Sequence, residues 1–133
     1  MGRGALDAEQ RLVTPLPDGV IARFDARDLS PIDDFDVTDA LQPGEGITSV
    51  VPAWSGLLWF VGRQGTVGVL DPASGVARSL LAGPGGTPVD IENSFAVVED
   101  GAYVVTGAEL LRLSIADGPP MLRSENARLA GFV

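Results

Sequence analysis

Short apolar runs alternate with turn residues along this chain, and one pattern of runs and turns is repeated. The fullest copy covers residues 56–75, a second covers 101–118, and a partial copy covers 12–25. Phe24, Leu70 and Leu113 occupy equivalent positions, spaced 46 and then 43 residues apart. A period of this length, filled with short strands, is typical of β-propeller blades.

Each repeat predicts up to four short antiparallel strands separated by turns. In the second unit the predicted strands are 47–53, 57–62, 67–71 and 76–81, and in the third they are 91–98, 102–106, 110–115 and a weak 121–124. The first unit offers 11–14, 20–25 and 32–37, and nothing before them suits an inner strand. The best helical window, 36–41, is short and is followed by Pro43, so no helix of any length is predicted.

The expected fold is therefore all-β, with propeller blades of four antiparallel strands in an incomplete ring of about 2.5 to 3 blades. A single propeller domain is expected over residues 11–124, with a partial blade at 11–41 and further blades at 46–82 and 90–124. Residues 1–10 are expected to form a flexible N-terminal segment and residues 125–133 a C-terminal tail.

The amino-acid composition excludes several kinds of catalytic site. The 133 residues include no histidine, cysteine or lysine. This excludes a Ser-His-Asp triad, a thiol nucleophile, a lysine Schiff base, a Walker A lysine and a zinc site of His or Cys ligands within the chain. Any catalysis would use carboxylates, arginines, hydroxyls, amides or a metal held by oxygen atoms.

Charge and hydropathy bear on partners and location. The formal net charge of −9 would repel a phosphate backbone, so nucleic acid is not expected as a partner. The longest apolar stretch, 50–61, is interrupted by Pro52, Ser55 and Gly56, so no contact with a membrane is expected. The first residues lack the apolar core of a signal peptide, which predicts a cytoplasmic location for the chain as written.

The densest acidic run is Asp33-Asp34-Phe35-Asp36, with Asp39 nearby. An EF-hand loop starting at Asp34 would need glycine where Asp39 stands, so that type of calcium site is not expected. The run instead predicts a solvated outer strand whose charges discourage edge pairing. Trp59 is expected in the blade core and Trp54 in a turn, although such a pair can also stack on a sugar.

Glu92 and Asn93 are the candidate metal ligands. They precede the predicted inner strand of the third unit, which in a propeller lies at the mouth of the central channel. The equivalent residues 45 positions earlier are Ile47 and Thr48, so the repeat itself does not require an acid and an amide there. Their oxygens suit Ca²⁺ if other blades add ligands, and the alternative is that both hydrogen-bond turn backbone.

The motifs at 56–61, 71–75 and 91–97 resemble bacterial propellers of the quinoprotein-like and gluconolactonase-like type, many of them exported. A longer parent of this kind would be secreted. In quinone-dependent dehydrogenases the resemblance implies a docking motif that Asp71, Ser74 and Gly75 fit, with Ser79 in place of its tryptophan. In gluconolactonases it implies a metal-ligating asparagine matching Asn93, followed by Ser94 in place of a glycine.

Three functions follow from these observations. The first is a non-enzymatic propeller segment, a binding or structural module completed by self-association or belonging to a longer propeller. The second is a Ca²⁺-dependent lactonase-like or esterase-like hydrolase that uses Glu92 and Asn93. The third is a platform that binds another protein. The residue types favour a non-enzymatic role, and no cofactor is expected apart from the Ca²⁺ of the hydrolase alternative.

Overall fold

A computed structural model describes residues 4–53, 55–81, 95–98, 101–106, 109–114 and 121–128. Three four-stranded antiparallel sheets follow one another along the chain, and they confirm the all-β prediction of propeller-type blades in an incomplete ring. Blade 1 contains β1 (Ala5–Leu6), β2 (Arg11–Leu16), β3 (Val20–Asp25) and β4 (Pro31–Asp36). Blade 2 contains β5 (Ile47–Pro52), β6 (Leu58–Gly62), β7 (Val67–Asp71) and β8 (Val76–Leu81). Blade 3 contains β9 (Phe95–Val98), β10 (Gly101–Thr106), β11 (Glu109–Ser114) and β12 (Met121–Arg128).

Blade 1 has an inner strand, and the expectation that it lacks one is wrong. The two residues of β1 pair with β2, Ala5 opposite Val13 and Leu6 opposite Leu12. The turn that joins the two strands is closed by Asp7, whose carboxylate accepts hydrogen bonds from the backbone N–H groups of Glu9 and Arg11, both at 2.9 Å. A strand of two residues is too short to produce a visible alternation in the sequence.

Two further differences concern element ends. The last strand, β12, continues to Arg128, past the predicted end at residue 124, because its pairing with β11 resumes beyond a bulge with Ala127 opposite Leu110. A three-residue 3₁₀ helix, Thr38–Ala40, lies within residues 36–41, the best helical window of the sequence. It forms part of the connection from blade 1 to blade 2.

Aspartates organise the turns between strands. Asp71 accepts a hydrogen bond from the N–H of Ala73 at 3.0 Å, and Gly75 leaves that turn with a φ of +74°. Asp25 and Asp28 accept hydrogen bonds in the same way from the N–H groups two residues further along. These Asx turns are the local chemistry expected for Asp in a tight connection.

The core consists of two layers, one on each face of blade 2. Leu58 and Phe60 pack against blade 1, whereas Trp59 and Val61 pack against blade 3. Because side chains alternate along a strand, β6 is buried on both faces, as expected for the centre of a stack of sheets. Trp59 is 1% exposed and lies in the blade core, where the sequence predicts it.

Candidate functional site

The outward face of blade 1 is the sheet surface directed away from blade 2. Val13 and Ile21 point into the layer shared with blade 2, so their neighbours along β2 and β3 point the other way. Leu6 is opposite Leu12 in β2, which in turn is opposite Phe24 in β3. The apolar members of this outward face are Leu6, Leu12, Leu16, Val20, Ala22, Phe24 and Ile32, of which Ala22 is buried.

The repeat relates one cross-strand pair on this face to an equivalent pair in each of the other two blades. The pair Leu12–Phe24 of blade 1 matches Leu58–Leu70 of blade 2 and Ala102–Leu113 of blade 3. The residues of the blade 2 and blade 3 pairs are at most 2% exposed. Leu70 packs in the layer shared with blade 1, and Leu113 in the layer shared with blade 2. Leu12 and Phe24 are only half-buried, and neither belongs to the two core layers on the faces of blade 2.

Other members of the face are open to solvent. Leu6 is 55% exposed, Ile32 46% and Leu16 38%. A contiguous exposed apolar surface of this kind is more typical of a protein-contact site than of a free surface.

The acidic run of β4 borders this face. Asp34 and Asp36 are exposed, and the Asp36 carboxylate accepts hydrogen bonds from the N–H and hydroxyl of Thr38 at 2.9 and 2.7 Å. These hydrogen bonds, that from the Thr38 hydroxyl first, lower the pKa of Asp36. Pro31 supplies no N–H group, so the proline and the charges together discourage pairing at the outer edge of β4.

Asp33 points to the opposite side of β4 and binds Arg23. The guanidinium donates two hydrogen bonds to the carboxylate, with Nε and Oδ1 2.7 Å apart and a second, shorter contact between Nη2 and Oδ2. Arg23 is 9% exposed, and its guanidinium carbon lies 5.5 Å from the centre of the Phe35 ring. The hydrogen bond raises the pKa of Arg23 and lowers that of Asp33. The pair therefore stays ionised at neutral pH and links β3 to β4 on the side of blade 1 that meets blade 2.

A cleft of about 310 Å³ lies between blades 1 and 2. Its charged lining residues are Arg11, Arg23 and Asp71. Arg11 contacts Asp7 at 2.7 Å and Glu9 at 3.3 Å, and Arg23 is bound by Asp33. Because both guanidinium groups already contact carboxylates, this cleft does not have the excess positive charge of an anion site.

Glu45 is a buried carboxylate that no sequence motif indicates. It is 5% exposed and accepts hydrogen bonds from the N–H of Gln42 at 3.0 Å, from the N–H of Gln64 at 2.6 Å, and from the N–H and hydroxyl of Thr66 at 3.3 and 2.6 Å. These contacts join the connection that enters β5 to the turn between β6 and β7. With its lone pairs occupied by donors of this chain, Glu45 has a structural role.

The predicted metal ligands Glu92 and Asn93, and also Trp54, lie outside the described residues, so the calcium site stays a prediction. Within the part of the chain that the structure describes, no three carboxylates are grouped so that they could hold a metal ion. The same part contains no helix with the length and apolarity needed to cross a bilayer.

Comparison with known proteins gives the fold. No protein-family model and no curated protein matches the chain. Among solved structures, the N-terminal domain of Nup159, a β-propeller, superposes with a TM-score of 0.55 at 10% identity, covering 91% of this chain and 29% of that one. A chain of the S. cerevisiae complex of Dbp5 with Nup159, Gle1, IP6 and ADP gives a TM-score of 0.52 at 12% identity, covering 86% of this chain and 27% of that one.

This chain therefore spans less than a third of the length of the solved chains that it matches. The likeness shows a β-propeller-like fragment. The finer resemblance to quinoprotein-like and gluconolactonase-like propellers finds no support in these matches.

Proposed function

We propose that this chain is a non-enzymatic β-propeller segment that acts as a binding or structural module, with the outward face of blade 1 as its protein-contact surface. Another propeller blade covers this surface, either from a second copy of the chain or from further blades of a longer propeller. The observation that carries the proposal is the half-burial of Leu12 and Phe24 at positions whose equivalents in the other blades are fully buried.

The remaining chemistry of the described residues supports a non-catalytic role. The buried charged groups have partners within the chain: Arg23 binds Asp33 between β3 and β4 of blade 1, and Glu45 binds Thr66 at the turn between β6 and β7. The absence of histidine, cysteine and lysine removes the commonest general bases and nucleophiles. One matched solved structure is a complex of several proteins, which by analogy of fold fits a role in protein binding.

The test replaces exposed apolar residues of the outward face by lysine. Leu6→Lys combined with Leu16→Lys adds two charges to the face and should abolish concentration-dependent association in sedimentation velocity at micromolar protein. Val76→Lys is the matched control, because Val76 is 56% exposed, comparable with the 55% of Leu6, but lies on β8 in blade 2. This control should associate like the wild type.

Binding of a hydrophobic dye gives a second measurement. If the wild type is monomeric, the uncovered face should bind the dye, and the Leu6→Lys, Leu16→Lys variant should bind much less of it. A wild-type monomer that binds no dye, or an association that the lysine variant leaves unchanged, would contradict the proposed surface.

A further inference from the structure

Resting on the proposed function, we propose that the blade that covers the outward face of blade 1 differs in sequence from the blades of this chain and carries arginine or lysine where it meets β4. Apolar side chains form the centre of the face, and the charges at its β4 border determine which partner fits that centre. Charge complementarity across an interface selects the partner and orients it.

The outward side of β4 carries two carboxylates. Asp34 is opposite Ala22 in β3, and Asp36 is opposite Val20. Residues opposite each other in a sheet project to the same side, so both carboxylates lie beside the apolar centre of the face. Both are exposed, and within the described residues Asp34 has no hydrogen-bond or ion-pair partner.

No arginine on the described strands of blade 1 balances these charges on the same side. Arg11 and Arg23 line the cleft between blades 1 and 2, so they point to the other side of the sheet. Arg27, in the turn between β3 and β4, already binds Asp25 at 2.9 Å. The outward face therefore has an apolar centre and an acidic border, and an apolar surface bordered by basic residues complements it.

The contact between blades 1 and 2 shows which part of a covering blade meets this border. The 3₁₀ helix Thr38–Ala40, which follows the outer strand of blade 1, contacts β8, the outer strand of blade 2. Ala40 and Ala77 of β8 belong to the same apolar layer. The segment that follows the outer strand of one blade thus packs on the outer strand of the next.

The register relates Asp34 to a residue on the covered face of blade 2. Ser79 is opposite Gly68 in β7, as Asp34 is opposite Ala22 in β3, and Gly68 follows Ala22 by 46 residues. Ser79 is uncharged and exposed at the border of the contact with blade 1. A blade docked on blade 1 in the same way would place the segment after its own outer strand beside Asp34, where blade 2 has a hydroxyl instead of a carboxylate.

The corresponding segments of this chain do not have the required charge. Residues 37–46 connect blade 1 to blade 2 and residues 82–94 connect blade 2 to blade 3; neither stretch contains an arginine, and both contain acids. A second copy also brings its own net charge of −9. Like charges across an interface oppose binding, so a blade of different sequence with a basic residue in this segment fits the face better than a second copy does.

Two synthetic peptides separate the two chemistries. Both form amphipathic helices of the same length with the same leucine face, but the polar face of one carries lysine and that of the other glutamate. Fluorescence anisotropy at about 0.15 M salt, where long-range attraction is screened, should show binding of the lysine peptide and about tenfold weaker binding of the glutamate peptide. In sedimentation velocity the lysine peptide should also displace a second copy from the face.

Charge reversal at the border tests the role of β4. Asp34→Lys should weaken binding of the lysine peptide about fivefold or more and strengthen binding of the glutamate peptide, a gain that also shows that the variant is folded. Asp39→Lys is the matched control, because it makes the same change in net charge at an exposed residue of the 3₁₀ helix that packs on blade 2. This control should keep the preference for the lysine peptide.

A neutral variant tests the apolar centre separately. Leu6→Ser combined with Leu16→Ser should remove most binding of the lysine peptide, whereas Val76→Ser, on blade 2, should not. Equal effects of Asp34→Lys and Asp39→Lys, with binding that still depends on Leu6 and Leu16, would overturn the basic partner and leave the proposed function intact. A wild-type dimer that persists at saturating lysine peptide would do the same. Peptide binding that the serine variant leaves unchanged would contradict the contact surface itself.

Discussion

At the scale of single residues, the Arg23–Asp33 pair links β3 to β4 on the side of blade 1 that meets blade 2. Arg23 is nearly buried, so removal of its partner leaves a guanidinium without a compensating carboxylate in a poorly hydrated place. Asp33→Asn should therefore lower the free energy of unfolding by about 2 kcal/mol near pH 6.5. Urea unfolding measures this change. Asp34→Asn, on the solvated side of the same strand, is the control and should have little effect.

The pH dependence of this loss follows from the pKa of Asp33. The hydrogen bond from Arg23 lowers that pKa below 3.8 in the folded state. A lowered carboxylate pKa stabilises the fold above the unfolded-state value, and the stabilisation is lost as the pH falls through the folded-state value. The difference between wild type and Asp33→Asn should thus be full above about pH 4 and shrink below it. An equal difference at about pH 2.5 and pH 6.5 would contradict this assignment.

Glu45 shows which residue roles a sequence does not disclose. It is one of eighteen acids and belongs to no motif. Its partners Gln64 and Thr66 follow it by 19 and 21 residues and approach only when β6 and β7 pair. Asp71, by contrast, binds the N–H of Ala73, two residues ahead, and its turn could be predicted because the whole interaction is local.

At the scale of elements, strands bounded by clear turn residues are predicted from the sequence with their exact ends, such as Val20–Asp25, Val67–Asp71 and Val76–Leu81. The two-residue β1 and the second half of β12 are not predicted because their pairing depends on a neighbouring strand, and their own composition indicates little. The sequence predicts an incomplete ring, but it does not show which residues lie on the uncovered face of blade 1. The register of β2 and β3 shows which residues form it.

Gly68 lets β6 and β7 accommodate Phe60. Gly68 is opposite Phe60, and a Cβ at this position would overlap the Phe60 ring. Gly68→Ala should therefore cost about 1–3 kcal/mol in the free energy of unfolding, through overpacking. Combining it with Phe60→Leu should cost less than the sum of the two single changes. Thermal and urea unfolding measure both effects.

Gly46→Ala is the control for Gly68→Ala, because no atom lies within 4 Å of the position that an alanine Cβ would occupy there. It should leave the free energy of unfolding nearly unchanged. Full additivity of Gly68→Ala and Phe60→Leu would show that the ring does not cause the cost.

At the scale of the whole molecule, the three blades form a short array in which blade 2 has a neighbour on both faces. In such arrays stability depends on contacts between adjacent units, so an end unit is expected to open more readily than the centre. The acidic net charge of −9 opposes association of copies at low ionic strength. Burial of the apolar residues on the outward face of blade 1 must exceed this repulsion if two copies are to associate.

Amide hydrogen exchange measures the local stability of each strand and its change on association. In dilute solution the slowest exchange is expected in β6 and β7, where both faces are covered, and faster exchange in β1 and β4. Raising the protein concentration should slow exchange in blade 1, because association covers its outward face, while β6 and β7 change little. Exchange in blade 1 that does not depend on protein concentration would show that its outward face is not covered by a second copy. Equal protection of all strands in dilute solution would contradict the array itself, because an uncovered end blade cannot be as stable as a blade that is covered on both sides.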